Sequence, residues 1–502
     1  MHPRVKSVSD EICDGGRPSP TPRHNPVTGK AGAAGAEVGA VHSSDEAANH
    51  RGAKGPHLID GNSEAKDEAM APVTGLRTPT KVRQLQRTLY GKAKGDERWR
   101  AWSLYGDLCR RDVLETALEA VVRNGGAAGV DGIGVAVIKA DRETFLDLLQ
   151  SQLRARSYRP SPVLRVWIPK DDGQQRPLGI PTVKDRIVQM ALLILLQPIF
   201  EADFHEASYG YRPGKNAQQA LEAIRTAIRQ GKYEVIDADL SGYFDTIPHT
   251  GLLRLVARRV SDGSILALVK AFLKAPIVEE KSGRKTIQPN ERGTPQGGVI
   301  SPLLANLYLN SLDHGVNDQP ELDAKLVRYA DDFVLLCRPG SGPALYQRLK
   351  AYLQRKGLKL NAAKTRVLDV RRESFRFLGF EVSWRRSAQT RRYYAHVRPS
   401  PKSERQLREK VRRELNHWTH YRSCTEAIRS VNRVVRGWSQ YFHYGHCTGV
   451  FIRNDDWLRE RVRTWLWGKY RRRLGRYGFF TNDRIQGQYG LYRMPTHAPY
   501  TR

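Results

Sequence analysis

The chain has 502 residues, too many for one hydrophobic core, so two to four domains are expected. Its 83 Lys and Arg outnumber 52 Asp and Glu for a formal net charge of +31, which argues for a polyanionic partner and is silent about catalysis. The five cysteines (Cys13, Cys109, Cys337, Cys424 and Cys447) are odd in number and widely spaced, so neither a disulfide framework nor a zinc knuckle is indicated, and a reducing cytoplasm fits.

The first 75 residues hold no Phe, Trp or Tyr and are rich in Gly, Ala, Pro and Ser. Such a segment cannot bury enough surface to offset its ordering entropy, so a disordered tail over 1–77 is expected. Val113–Val122 carries Leu114, Ala117, Leu118 and Val121 at helical spacing, and Asn124-Gly125-Gly126 should end that helix. Residues 163–181 read as two strands around the turn Asp171-Asp172-Gly173. Val183–Phe200 reads as a buried helix, its apolar run too short to span a bilayer; no membrane association is expected. Glu234–Leu240 reads as a strand, and Leu326–Leu336 as two short strands joined by a tight acidic turn.

The acidic residues carry the chemistry. In a strand Val235, Asp237 and Asp239 share one face, and Asp245 follows closely. Adjacent Asp331 and Asp332 between apolar strands are costly unless a cation compensates them. In-line nucleotidyl transfer builds charge on the attacking and leaving oxygens, and two Mg2+ ions ~3.5–4 Å apart can clamp both. Asp239 and Asp331 are therefore expected to bridge the ions, with Asp332 as the auxiliary acid.

Three boxes carry a family resemblance. Tyr329-Ala330-Asp331-Asp332 resembles the Y-A-D-D box of reverse transcriptases. Asp239 to Asp245 is similar to the palm motif D-x-x-x-x-F-D. Arg292 to Asn306 resembles the G-T-P-Q-G-G-x-x-S-P-L-L-x-N box of bacterial group II intron reverse transcriptase/maturase proteins. The resemblance implies an α+β right-hand polymerase: fingers and palm over 78–395 with an N-terminal extension around Asn124–Gly132, a helical thumb or maturase domain over 396–475, and a short segment over 476–502. It implies catalytic Asp239, Asp331 and Asp332, with the Leu240 carbonyl joining Asp239, Asp331 and Asp332 as ligands of two Mg2+ ions. It places Lys170, Arg176, Phe244, Gln296 and Gly297 around the incoming dNTP, with the Phe244 ring excluding a 2'-hydroxyl. Gly357–Thr365 and Phe377–Phe380 are similar to the family's primer-side motifs, which assigns Lys364 and Gly379 to primer and template.

Beyond Pro401 the chain is strongly basic and helical. Ile428, Val431, Val435, Trp438 and Phe442 step by three and four as one apolar face, and Arg429, Arg433 and Arg436 lie on another, suited to a phosphate backbone. Arg436–Phe442 resembles the R-G-W-x-x-Y-F box of the maturase domain. A second basic group, Arg459, Arg461, Arg463, Lys469 and Arg471 to Arg473, extends the expected RNA surface, with Arg463 as a named contact. The implied partners are intron RNA, an RNA template with a DNA primer or target, and dNTPs. With no cysteine pair after Cys447, no H-N-H endonuclease is expected, and the primer would come from elsewhere. The alternatives are an RNA-binding splicing factor without polymerase activity, or a relative recruited to phage defence, spacer acquisition or sequence diversification.

Overall fold

The computed structural model describes residues 79–169, 173, 175–281, 284–470 and 475–496. The expected tail over 1–77, Lys170, the turn residues Asp171 and Asp172, and Arg471 to Arg473 lie outside the described residues. The architecture is mixed helix and sheet. In chain order its described strands are β1 (Val163–Pro169), β2 (Gln175–Ile180), β3 (Glu234–Ala238), β4 (Ile277–Lys281), β5 (Arg284–Gln288), β6 (Lys325–Tyr329), β7 (Asp332–Cys337), β8 (Arg366–Asp369), β9 (Phe375–Phe377), β10 (Phe380–Arg386) and β11 (Tyr393–Pro399).

The helix Val183–Glu201 is apolar almost all round and is correspondingly buried almost all round. Thr182 caps it by accepting from the Asp185 amide at 3.1 Å. Helices Thr80–Gly95 and Arg111–Asn124 pack against it. Arg111–Asn124 ends where the sequence predicts, with Gly125 and Gly126 at φ 64° and 105°, a backbone that glycine adopts without strain. The Arg186 guanidinium then donates to the carbonyls of Gly125 (3.2 Å) and Ala127 (2.5 Å), and Asp185 accepts from Tyr158 and the Ser161 amide. Asp185-Arg186 thus fastens the N-terminal extension to the helix.

Three sheets follow. One has the order β2-β1-β4-β5, the second β6-β7-β3-β8, and the third β11-β10-β9. In the second, side chains alternate between two cores, as the pleat demands. Ile236, Leu326, Phe333 and Leu335 face the larger core with Val183–Glu201, while Val235, Val327, Val334 and Leu336 face a second core shared with the C-terminal helices. A sheet buried on both faces has little freedom to shift register. The C-terminal region is helical: Pro401–Glu414, capped by Ser400, then Cys424–Phe442 and Thr448–Tyr470. The predicted apolar face of Cys424–Phe442 holds, with Ile428, Val431, Val435 and Phe442 buried and Trp438 half-buried.

Candidate functional site

The acidic centre is assembled by strand register. β3 and β7 run antiparallel with Ala238 opposite Phe333, so one further step sets Asp239 beside Asp332. β6 and β7 pair Tyr329 with Asp332, leaving Ala330-Asp331 as a two-residue turn. Ala330 takes φ 59°, a left-handed conformation that costs a residue with a Cβ about 1 kcal/mol. The surroundings enforce it. Buried Arg328 donates to the Ala330 carbonyl at 2.9 Å, to Asn306 Oδ1 at 2.8 Å, and through two nitrogens to Asp313 at 2.8 and 2.5 Å. Asn306 in turn donates to the Gly210 carbonyl at 2.7 Å. Gly210 lies so close that a Cβ there would stand 2.4 Å from the Ala330 nitrogen.

The segment 359–361, paired through an isolated bridge, locks the other side. The Asn361 amide donates to the Asp239 carbonyl at 2.8 Å and the Ser241 amide to the Lys359 carbonyl at 2.9 Å. Leu240 and Leu360 form the bridge between these bonds, which leaves the Leu240 carbonyl outside the ladder. Lys364 Nζ stands 3.8 Å from Asp239 Oδ2, and Arg366 pairs with Asp237 at 3.3 Å.

The carboxylates crowd one another. The Asp332 side chain is reached by solvent yet hemmed in by protein. Loss of hydration, and after it the charges of Asp331, Asp239 and Asp237, push its carboxyl up to about 7 against the pull of Lys364. Burial raises the Asp331 carboxyl as well, opposed by Arg176 and Arg328. Among the described residues no group of three His, Cys, Asp or Glu side chains is placed to hold a metal ion by itself. What is present suits Mg2+ in another way: a few hard oxygen donors with excess negative charge, beside a Leu240 carbonyl that lies outside the ladder.

On the fingers side, Arg176 Nε donates to Gln296 Oε1 at 2.6 Å, and Gln296 Nε2 reaches Asp245 Oδ2 at 3.5 Å. Gln296 is thus held between two charged groups. A Cβ on Gly297 would stand 2.1 Å from the Gly179 carbonyl, so only glycine lets this loop lie against β2. The same loop crosses the short helix Tyr243–Thr246, where the Thr294 amide donates to the Phe244 carbonyl at 2.6 Å. The Phe244 ring is 7% exposed and packs in the larger core beside Tyr243.

Two tyrosines escaped the sequence reading. Tyr211, at φ 56°, is reached by solvent yet flanked by protein: lost hydration, and after it the Asp331 and Asp332 charges, push its hydroxyl up against the pull of Arg176, and the adjoining Gly210 lies against Ala330 at the acidic centre. No local motif marks Tyr211. Tyr441, inside the R-G-W-x-x-Y-F box, donates to the Leu378 carbonyl at 3.0 Å; burial, then Tyr329 and Asp332, raise its hydroxyl. Its hydrogen bond joins the thumb helix to the Leu378-Gly379 turn. Gly379, exposed at φ 80°, is backed by Phe442 and Ser403.

Arg429, Arg433 and Arg436 are exposed along Cys424–Phe442, with Arg436 over the Tyr492 ring at 5.1 Å. Arg463 is a correction. It is 5% exposed, donates to the Phe480 carbonyl at 2.8 Å and Asn482 Oδ1 at 2.6 Å, and pairs with Glu460. It staples the C-terminal segment to Thr448–Tyr470 and has no face left for RNA. Arg459 (on Asp455 and Asp456), Arg461 (on the Leu415 carbonyl) and Lys469 (on the His420 and Arg422 carbonyls) are likewise committed inside the protein.

No described helix is long and apolar enough to cross a membrane. Residues 168–382 match the family described as reverse transcriptase (RNA-dependent DNA polymerase), and residues 404–481 match that described as group II intron, maturase-specific domain. Protein YkfC of Escherichia coli K12 is 32% identical over 346 residues, covering 61% of this chain and 89% of that protein. Group II intron-encoded protein LtrA of Lactococcus lactis subsp. cremoris is 36% identical over 211 residues, covering 42% of this chain but only 34% of LtrA. A chain of the solved "Partial Cas6-RT-Cas1--Cas2 complex" is 25% identical at a TM-score of 0.32 over 50% of this chain and 42% of that one, a likeness too low to bear on the fold. The chain belongs to the reverse transcriptase family in which an RNA-dependent DNA polymerase domain is joined to a group II intron maturase-specific domain.

Proposed function

We propose that the chain is the RNA-directed DNA polymerase of a group II intron, which binds the intron RNA, assists its splicing and copies it into cDNA from a DNA primer with dNTPs. The observation that carries this reading is the meeting of Asp239 with the Asp331-Asp332 turn across β3 and β7, in a chain whose 404–481 segment matches the maturase-specific domain. That second match favours an intron protein over a relative serving defence or spacer acquisition.

Reverse transcriptases work with divalent metal ions. Here Asp239, Asp331 and the Leu240 carbonyl would hold two Mg2+ ions, with Asp332 as an auxiliary acid. Such ions, when bound, stabilise charge on the attacking 3'-hydroxyl and the departing pyrophosphate. The chain's own groups do the rest. Arg176 offers a guanidinium fork to the triphosphate, with Lys170 as a point charge. Gln296 and Gly297 shape the nucleotide pocket, and Phe244 would underlie the sugar. Lys364 offsets the Asp239 charge, and the Gly379 turn, braced by Tyr441, would meet the primer. Arg429, Arg433 and Arg436 would follow an RNA backbone. The test is extension of a DNA primer annealed to an RNA template by the purified full chain with dNTPs and Mg2+. Template-dependent extension supports the reading; none, with RNA still bound, would reduce the chain to an RNA-binding splicing factor.

A further inference from the structure

Between Pro401–Glu414 and Cys424–Phe442 the chain makes one 3-10 turn, His417–Tyr421. Among the described residues of the C-terminal region it presents the two most exposed large aromatic residues: Trp418 is 77% exposed and Tyr421 82%. A 3-10 helix has three residues per turn, so positions three apart stand one above the other on the same edge. The His417 ring extends the surface, 4.4 Å from the Trp418 ring.

An exposed aromatic on a loose loop would mean little. This turn is clamped from beneath. Asn416 and Thr419 form a reciprocal cap, at 3.1 and 3.2 Å. Trp465 Nε1 donates to the Asn416 carbonyl and to Thr419 Oγ1, both at 3.1 Å. Lys469 Nζ donates to the His420 carbonyl and, at 2.7 Å, to the Arg422 carbonyl. Gly468 allows the long helix this close, since a Cβ there would stand 2.9 Å from the His420 ring. Lys469, one member of the second basic group, therefore serves to hold up the turn rather than to meet RNA. Lys410 and Arg413, exposed on the preceding helix and three residues apart, add positive charge beside it. No carboxylate lies within ion-pair distance of Arg413 among the described residues.

We propose that Trp418 and Tyr421 form a rigid stacking platform for unpaired bases of the RNA that the thumb binds. The proposal rests on the reading of the thumb as an RNA-binding domain. Aromatic faces accept any base, and adjacent cations hold the phosphates, so the occupant is a single-stranded loop or bulge, since bases within a duplex keep their faces stacked.

The test compares the full-length protein with a Trp418→Ala/Tyr421→Ala double variant and a Trp418→Phe/Tyr421→Phe control. The probes are a labelled hairpin RNA with an unpaired loop and a fully paired RNA of equal length. The expected result is a loss of roughly tenfold or more in affinity for the looped RNA in the alanine variant. Affinity for the paired RNA and the salt slope stay unchanged, because no charge is removed, and the phenylalanine control restores loop binding. Equal loss on both RNAs, or no loss on either, overturns the platform while leaving RNA binding by the thumb intact. Wild-type protein that binds neither RNA overturns the RNA-binding reading itself. A wild-type dimer that becomes monomeric in the alanine variant, with RNA binding unaltered, would show that the rings cover a second copy instead.

Discussion

Arg328 and Asp313 form an ion pair from which solvent is wholly excluded, both side chains at 0% exposure, and the same guanidinium holds the carbonyl of Ala330 beside the acidic turn. Breaking one half of such a pair leaves a buried charge uncompensated, at a cost of about 3–5 kcal/mol. Arg328→Met should lose stability of that order in urea unfolding. Arg328→Met/Asp313→Leu should recover much of it, since a well-packed apolar pair can replace a buried ionic one. Polymerase activity should stay low in the recovered protein, because nothing then holds the Ala330 carbonyl. Full activity in the double variant would show that the turn keeps its shape unaided.

A second prediction concerns pH. The Asp332 carboxyl is pushed up to about 7 in the folded protein by lost hydration and by Asp331, Asp239 and Asp237. The folded state therefore binds this proton more tightly than the unfolded chain does. The penalty is full above pH ~7, shrinks as pH falls, and is gone below the ordinary carboxylate range. Asp332→Asn should raise the melting temperature of the metal-free protein at pH 8 by roughly 2 °C, a figure kept small because solvent reaches the group. At pH 4 the difference should vanish. Equal melting temperatures at pH 8 would mean that the carboxylates do not crowd Asp332.

Phe244 tests sugar selection. Phe244→Val removes much of a ring that is 7% exposed, so a loss of about 2 kcal/mol in stability is expected from the cavity alone. If the ring also underlies the sugar, use of rNTPs relative to dNTPs should rise roughly tenfold in single-nucleotide incorporation. Lower stability with an unchanged ratio would make Phe244 a core residue only.

The exposed thumb arginines and buried Arg463 should behave in opposite ways. Replacing Arg429, Arg433 and Arg436 together by Gln should flatten the dependence of log K on log salt by roughly two to three units, with little change in unfolding. Arg463→Gln should do the reverse: the slope stays and stability falls, because the Phe480 carbonyl and Asn482 lose their donor. A salt slope unmoved by the triple replacement would direct the search for the RNA surface elsewhere on the chain.

These cases show what the sequence can and cannot reveal. The apolar face of Cys424–Phe442 is legible because helical periodicity is local. The two acidic elements are legible because adjacent aspartates between apolar strands contradict burial unless a cation is at work. The position of Arg463 is not legible, since its burial depends on Phe480 and Asn482 folding back over it. Arg328 reads as one more basic residue in a strand until Asn306 and Asp313 arrive from the preceding helix. Tyr211 has no signature at all; only the close passage of Gly210 against Ala330 brings it to the acidic centre.

If Asp239 and Asp331 hold the metal ions of nucleotidyl transfer, their loss should separate chemistry from RNA binding. Asp239→Asn and Asp331→Asn each keep the shape of the side chain and remove the charge that Mg2+ requires. The measurement is cDNA yield from an RNA template, alongside affinity for the same RNA, for each purified variant and the wild-type chain. RNA affinity should stay within about twofold of wild type, since the exposed thumb arginines are untouched, and no cDNA should be detected. Full-length cDNA from either variant would contradict the metal assignment.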